Sequence, residues 1–76
     1  MREMKKVKRI LRVLRQKAYN NVVTTRELDV AIMEGADVIH WQTRKNYRKL
    51  LEKLGYIKPA LKDDEGNVLV WEICQA

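Results

Sequence analysis

The stretch HWQTRKNYRKLLEKLGYIKP, residues 40–59, contains the pattern that decides the fold. Residues suited to an inward position recur there at the three- and four-residue steps of a helix. They are His40, Thr43, Tyr47, Leu50, Leu51 and Leu54. Gly55 then supplies the left-handed residue that commonly ends a helix. Pro59 marks an edge position in the extended segment that follows, because proline cannot donate to a central strand. The pattern predicts a helix over about residues 39–54 and a strand over about 56–62.

The opposite side of this helix is polar and cationic. Its members are Gln42, Lys45, Asn46, Arg48, Lys49 and Lys53, with Arg44 at the border. Gln42 and Asn46 are four residues apart and therefore lie one above the other on the same face. Such a helix buries one side against its own domain and presents the other side to a partner. Trp41 is large, apolar and outside the apolar period, so it fits neither side.

The segment VVTTRELDVAIMEG, residues 22–35, predicts a short strand and a capped helix. The β-branched pair at 22–23 is enough for one rung of a strand. Thr24 and Glu27 have the spacing of a capping box, in which each side chain accepts a hydrogen bond from the other residue's backbone N–H. The helix predicted from this start spans about residues 25–34. Its inward residues are Leu28, Ala31 and Ile32.

The connection to the next helix is tight. Gly35 is the predicted stop of one helix, and Asp37 is the predicted N-cap of the following one. Together they leave room for a turn of only a few residues.

The N-terminal segment predicts a basic amphipathic helix over about residues 3–19. Its apolar stripe consists of Met4, Val7, Ile10, Leu11, Leu14 and Ala18. Residues 1–17 carry eight basic side chains and one acidic one, and such crowding destabilises a helix unless an anion compensates. A phosphate backbone, an acidic protein or anionic lipid would each compensate, although the stripe is needed for the core, which argues against lipid. Asn20 and Asn21 end the helix with turn chemistry.

The C-terminal segment predicts a β-hairpin with strands over about 56–62 and 68–74. The turn between them is DDEGN, residues 63–67, in which Gly66 and Asn67 tolerate positive φ. Cys74 lies in the apolar run VLVWEIC, which favours a buried or half-buried thiol.

The elements therefore follow the order helix, strand stub, helix, helix, hairpin. This order resembles the winged helix-turn-helix family of DNA-binding domains. Three segments carry the resemblance: VVTTRELDVAIMEG, TRKNYRKLLEKLGYIK and YIKPALKDDEGNVLVWEI. It covers nearly the whole chain, from Lys5 to Ile73. It implies an α+β, mainly α fold over a single domain, residues 1–76, with three helices, a short strand stub and a C-terminal hairpin, the wing.

The resemblance also implies double-stranded DNA as the partner, with the third helix in the major groove. Amides pair there with adenine, and Arg or Lys with guanine. The base-reading candidates are Trp41, Gln42, Arg44, Lys45 and Asn46. The phosphate-contacting candidates are Arg26, Thr43, Arg48, Lys49, Lys53, Lys58 and Lys62. A secondary basic surface consists of Lys5, Lys6, Lys8, Arg9 and Arg12.

Two features depart from the family pattern or stay open. The wing tip carries Asp63, Asp64 and Glu65, which a phosphate would repel. The wing therefore either stays off the DNA or turns toward a protein. Trp41 has three interpretations: it covers the helix-to-helix turn against Val38, it contacts a sugar or thymine methyl, or it lies in a dimer interface.

Composition restricts the classes of function. A net charge of +6 and a pI near 9.7 favour an anionic partner, with good solubility as the simpler alternative. One cysteine and one histidine cannot supply a four-ligand zinc site. With no nucleophile–base pair and no glycine-rich phosphate loop, we expect neither an enzyme nor a cofactor. No apolar run approaches the ~20 residues that span a bilayer, so we expect an intracellular protein, cytoplasmic or nucleoid-associated, without a membrane partner. The charged fraction of 34% resembles thermophile composition.

Two functions are consistent with these patterns. The first is a small transcriptional regulator that binds double-stranded DNA, with a homodimer on two half-sites as one arrangement. The second is an interaction module of the same fold that holds an acidic protein partner within a larger assembly.

Overall fold

Three helices and a three-stranded antiparallel sheet make up residues 2–74, the part of the chain that the computed structural model describes. The helices are α1 (Arg2–Lys17), α2 (Thr25–Ala36) and α3 (Trp41–Lys53). The strands are β1 (Val22–Thr24), β2 (Ile57–Lys62) and β3 (Val68–Ile73), in the sheet order β1-β3-β2. This is a winged-helix-like α+β fold, as the sequence predicts. Residues 1, 75 and 76, which the sequence assigns to the same domain, lie outside the described range.

The predicted start of α2 is confirmed. The Thr24 hydroxyl accepts a hydrogen bond from the Glu27 N–H at 3.1 Å, and the Glu27 carboxylate accepts one from the Thr24 N–H at 2.9 Å. Both bonds are local in sequence, so the capping box fixes the point where β1 ends and α2 begins.

The predicted N-cap of α3 is wrong. Asp37 closes α2 instead: it has the left-handed conformation (φ 57°, ψ 47°), and its N–H donates to the Met33 carbonyl. An N-cap needs extended backbone, which a residue in this conformation cannot provide. The N-cap of α3 is His40 (φ −63°, ψ 131°), whose Nδ1 accepts a hydrogen bond from the Gln42 N–H at 3.2 Å.

The core lies where α1, α2 and the sheet meet. The buried residues of α1 and α2 include Val7, Ile10, Leu11, Leu14, Leu28, Ala31 and Ile32, all predicted to face inward. The sheet adds Val23, Ile57, Trp71 and Ile73. The contribution of α3 is smaller than predicted, since only Leu51 is buried. Tyr47 and Leu50 pack against the core at its margin, and Leu54 is 43% exposed.

Gly35 has a different role from the predicted helix stop. It lies inside α2, and a Cβ built on it would stand 2.6 Å from both the N and the Cα of Ile10. Because Gly35 has no side chain, the backbones of α1 and α2 can approach each other this closely. The helix continues to Ala36, and Asp37 ends it.

Turns of the predicted chemistry join the elements. Asn20 and Asn21 both have positive φ (54° and 63°) and form a two-residue reversal between Tyr19 and Val22, whose backbones exchange hydrogen bonds. Gly55 has φ 82°, consistent with its predicted place after α3. Strand β2 lies at the edge of the sheet, which accommodates Pro59 as predicted.

Candidate nucleic-acid interface

The outward face of α3 is polar, cationic and open to solvent. Its exposed members include Trp41, Gln42, Lys45, Asn46, Lys49 and Lys53. The Gln42 amide nitrogen lies 3.5 Å from the Asn46 amide oxygen, so the two amides stand one above the other as their spacing predicts. Each keeps further donor and acceptor positions toward solvent. The arrangement provides two adjacent amides with Lys45 and Lys49 beside them.

Two arginines of α3 turn toward α2 and are half-buried. The Arg44 Nη1 lies 3.4 Å from the Met33 sulfur, and the Arg48 Nη1 lies 3.6 Å from a carboxylate oxygen of Asp29. Thr43 is also half-buried, beside Tyr47 and Leu50. Arg48, which the sequence pattern assigns to the outer face, therefore lies at the edge of that face beside α2. The border position of Arg44 and the inward position of Thr43 agree with the pattern.

An exposed apolar patch precedes α3. Trp41 is 59% exposed and stacks on His40, with ring centroids 6.2 Å apart and planes 19° from parallel. Ile39, which sequence reasoning did not single out, is 85% exposed. Its neighbour Val38 packs against the core, and adjacent residues in an extended connection point in different directions. This alternation was the signal that could have identified Ile39.

A groove runs between the N-terminus of α2, the outer side of α3 and the wing. Its lining residues are Thr25, Arg48, Lys49, Glu52, Gly66, Asn67, Val68 and Trp71. Arg26, a predicted phosphate candidate, is exposed in the first turn of α2 next to Thr25. The groove brings the free N–H groups of a helix N-terminus near two cations, a combination that favours anions. Sequence reasoning missed it because it exists only once the wing is placed against α2.

A chain of two hydrogen bonds fixes the wing in that position. The Trp71 indole N–H donates to the Thr25 hydroxyl at 3.0 Å, and the Thr25 hydroxyl donates to the Val68 carbonyl at 2.5 Å. Trp71 is 4% exposed, so its indole also anchors β3 in the core. Thr25, the first residue of α2, is thus bonded to two residues of β3, Val68 and Trp71.

One acidic residue of the wing tip, Asp63, stabilises the turn between β2 and β3. The Asp63 carboxylate accepts hydrogen bonds from the backbone N–H groups of Asn67 and Glu65, both at 2.9 Å, and from the Asn67 amide at 3.3 Å. These bonds, led by the one from the Asn67 backbone, lower the pKa of Asp63 from its ordinary value. Asp64 and Glu65 are exposed. At the wing base, Lys58 pairs with Glu72 across the strands at 3.4 Å. Lys62 is exposed and directly precedes the tip turn.

A second basic surface covers the solvent side of α1. Its exposed cations are Lys5, Lys6, Lys8, Arg9, Arg12 and Arg15, the last added by the structure to the predicted set. A shallow groove runs along one side of the helix, lined by Lys8, Leu11, Arg12, Arg15, Gln16 and Tyr56.

Residues 4–74, the range in which side chains are described, contain no group of three or more His, Cys, Asp or Glu placed to hold a metal ion. No helix within residues 2–74 is both long and apolar enough to cross a membrane.

The protein is classified by its fold, because the comparisons with known proteins found no match. No protein-family model matches the chain, and no match was found among curated proteins or solved structures. The class is accordingly that of a winged-helix-like α+β protein, defined by its element order, by β1 pairing with the hairpin, and by the polar face of α3.

Proposed function

We propose that this protein binds double-stranded DNA by inserting the outward face of α3 into the major groove, and that it acts as a small transcriptional regulator. The observation that carries the proposal is the exposed set Gln42, Lys45, Asn46 and Lys49 on the one helix that contributes only Leu51 to the buried core. A helix with so little buried in its own domain is free to enter a groove. The B-DNA major groove is about 12 Å wide, which admits one α-helix.

The chemistry of that face supports reading of bases as well as attraction to phosphate. An amide can donate to adenine N7 and accept from its N6 amino group, and Lys45 can donate to guanine O6 and N7. Gln42 and Asn46 stand in adjacent turns of α3, about 6 Å apart along the axis, so they suit neighbouring base pairs. Lys49 lies one turn further and suits a phosphate.

The groove beside α3 suits the flanking backbone. Thr25 begins α2, and the N-terminus of a helix attracts anions through its free N–H groups. Arg26 and Lys49 are the exposed cations nearest to it in sequence and space. A duplex seated on α3 would place one phosphate strand along this groove, with Arg48 available if its pair with Asp29 opens.

The wing has a lesser part in this proposal. Asp64 and Glu65 at its tip would repel a phosphate, so the wing tip stays off the backbone, together with Lys62, which directly precedes the tip turn. The exposed Ile39 and Trp41 lie where α3 would enter the groove. Apolar contact with thymine methyl groups is the chemistry that suits them there.

The decisive experiment measures affinity for a random-sequence duplex pool at several salt concentrations, followed by selection and sequencing of the bound fraction. We expect a log–log slope of about −4 or steeper, which corresponds to several phosphates neutralised together, and an enriched motif. Lys45→Gln removes a base contact, so it should weaken affinity and relax any preference for guanine in the enriched motif. Gln42→Ala with Asn46→Ala should flatten the sequence preference and leave the slope unchanged.

Lys6→Gln is the matched control, because it removes the same charge from α1, away from α3. Weak binding at physiological salt with no enriched motif, and equal effects of Lys45→Gln and Lys6→Gln, would contradict the proposal. Recovery of a stoichiometric acidic protein instead would favour the interaction module.

A further inference from the structure

The helices α1 and α3 lie on opposite flanks of α2. Asp29 and Met33 contact α3 through Arg48 and Arg44. Glu34 and Gly35 contact α1, through an ion pair with Lys17 at 3.8 Å and the close approach to Ile10. At about 100° per residue, these two pairs of positions are separated by roughly 170° around the α2 axis. Since α1 and α3 have little direct contact with each other, their solvent faces point in different directions.

The solvent face of α1 carries charge that the described part of the chain does not neutralise. Among the side chains of residues 4–74, its six exposed cations form no ion pair; the pair that α1 does form uses Lys17. Lys5 and Arg9, like Lys8 and Arg12, are four residues apart, a spacing at which like charges destabilise a helix. The surface therefore gains stability from an anion.

Three of these cations line the shallow groove along one side of α1. Lys8, Arg12 and Arg15 follow one another by four and three residues and so form a row about 10 Å long on one side of α1. The lining also includes Leu11, which is buried, and Tyr56, which directly precedes β2 and is half-buried. A row of cations beside an apolar and an aromatic side chain suits a sugar–phosphate strand, whose charge is regularly spaced and whose sugars are less polar.

We propose that this groove binds the backbone of a second DNA duplex, so that one molecule joins two duplex segments. The proposal rests on the proposed function of α3 as the first DNA site. A straight duplex in contact with α3 cannot reach α1, because α2 and the core stand between the two faces. The groove of the second site holds three cations and one amide, Gln16, so phosphate contacts dominate and we expect little sequence preference there.

Charge balance favours DNA over the acidic wing of a second copy as the occupant. The wing tip carries three carboxylates, because Asp63 keeps its charge although its oxygens accept hydrogen bonds within the turn. Three carboxylates cannot neutralise six cations, whereas a duplex carries one charge per about 1.7 Å of axis. A lipid surface is disfavoured because the apolar stripe of α1 is already buried, with Val7, Ile10 and Leu14 fully inaccessible.

The test is a capture assay that requires two duplexes on one protein. One short duplex is fixed to beads, an identical fluorescent duplex is in solution, and the fluorescence retained after adding the protein is measured. The variant combines Lys8→Gln, Arg12→Gln and Arg15→Gln, all at exposed positions where glutamine preserves helix propensity. We expect capture to fall at least about tenfold, as for the loss of three phosphate contacts, while affinity for a single duplex in protein excess stays within about threefold.

The matched control combines Lys5→Gln, Lys6→Gln and Arg9→Gln, which removes the same charge from the same basic surface but outside the groove, so capture should fall clearly less than in the groove variant. Equal losses in the two variants would mean that only the total charge of α1 matters, and would overturn the groove as the site. Circular dichroism and thermal melting confirm that both variants fold. Single-duplex binding without capture by the wild-type protein would overturn this inference alone. So would capture that survives the groove variant, and capture that is lost on Asp64→Asn with Glu65→Gln, which would indicate a dimer held by the wing. Failure to bind any duplex would overturn the proposed function as well.

Discussion

Arg48 of α3 and Asp29 of α2 form an ion pair in which the guanidinium Nη1 lies 3.6 Å from the carboxylate Oδ1. That oxygen is inaccessible to solvent and has no hydrogen-bond donor, while the two side chains as wholes are 26% and 30% exposed. At 3.6 Å the contact is longer than a hydrogen bond, and a partly exposed ion pair of this length contributes about 0–1 kcal/mol. Arg48 is therefore held beside α2 by a weak interaction, for which a phosphate can compete.

Replacing Asp29 by Asn should increase the affinity for duplex DNA. The substitution removes the competitor of Arg48, so the arginine becomes available to a phosphate and the log–log salt slope should steepen by about one. The free energy of unfolding should change by no more than about 1 kcal/mol, since the pair is weak. Fluorescence anisotropy with a short duplex at several salt concentrations measures the first effect, and urea unfolding the second.

Glu34→Gln is the control for net charge. It also removes one carboxylate from an ion pair of α2, but that pair is with Lys17 on the flank facing α1. Under protein excess, where each short duplex is bound through α3, it should leave the slope nearly unchanged. An equal gain in both variants would mean that only total charge matters, and that Arg48 has no part in binding.

Thr25→Val should loosen the wing from α2. Valine has nearly the shape of threonine but lacks the hydroxyl, so the buried Trp71 indole N–H loses its acceptor and the Val68 carbonyl its donor. An unsatisfied buried donor costs about 1–3 kcal/mol. Urea unfolding should register that loss, and DNA affinity should fall because the groove between α2 and the wing is less well formed.

Thr25→Ser tests whether the hydroxyl is responsible. Serine retains both hydrogen bonds and should keep stability close to that of the wild-type protein. If Thr25→Val and Thr25→Ser lose the same free energy, the methyl group rather than the hydrogen-bond chain is what stabilises this contact.

Gly35→Ala should destabilise the protein although alanine is the better helix former. In a solvent-exposed helix the change would be favourable by about 1 kcal/mol. Here the added Cβ would meet backbone atoms of Ile10 at 2.6 Å, and backbone cannot rotate away as a flexible side chain can. Overpacking of this kind costs about 1–3 kcal/mol, and α1 would have to move away from α2.

Thermal unfolding of Gly35→Ala and Gly66→Ala separates this effect from the general cost of replacing glycine. Gly66 has open space around its Cβ position but a positive φ of 85°, so its replacement costs backbone strain of about 1–2 kcal/mol. Crosslinking or NMR shifts at Ile10 should change only in Gly35→Ala. A melting temperature at or above the wild-type value for Gly35→Ala would rule out the close packing of α1 on α2.

Local sequence patterns were enough to predict the order of the helices and strands and where most of them begin. The capping box of Thr24 and Glu27 depends on residues three apart, and the apolar stripe of α1 repeats within one helix, so neither needs knowledge of the fold. The edge position of Pro59 was likewise predictable, because its missing N–H excludes a central strand at any site.

The errors arose where tertiary placement decides between local options. Asp is favoured at N-caps, but it also tolerates the left-handed conformation, and closing α2 determined which of these Asp37 adopts. The inward turn of Arg48, which the pattern assigns to the outer side of α3, depends on how α3 crosses α2, and the helical period alone does not specify that crossing. For the same reason the groove beside the wing had no counterpart in the sequence patterns.

Asp63→Ala should destabilise the wing turn at neutral pH and much less in acid. The backbone N–H groups that bind the Asp63 carboxylate hold its pKa below the value in the unfolded chain. A depressed pKa means that the ionised carboxylate stabilises the folded state above the unfolded pKa, which for aspartate is about 3.9. That contribution is lost as the pH falls through the folded pKa, where wild-type Asp63 also becomes protonated. The wild-type and variant melting temperatures should therefore differ at neutral pH and converge in acid.

Asp64→Ala is the control, because Asp64 is exposed and its carboxylate accepts no hydrogen bond from the described residues, so its removal should leave the turn intact at every pH. If the difference in melting temperature between wild type and Asp63→Ala stays constant with pH, the ionised Asp63 carboxylate does not stabilise the turn.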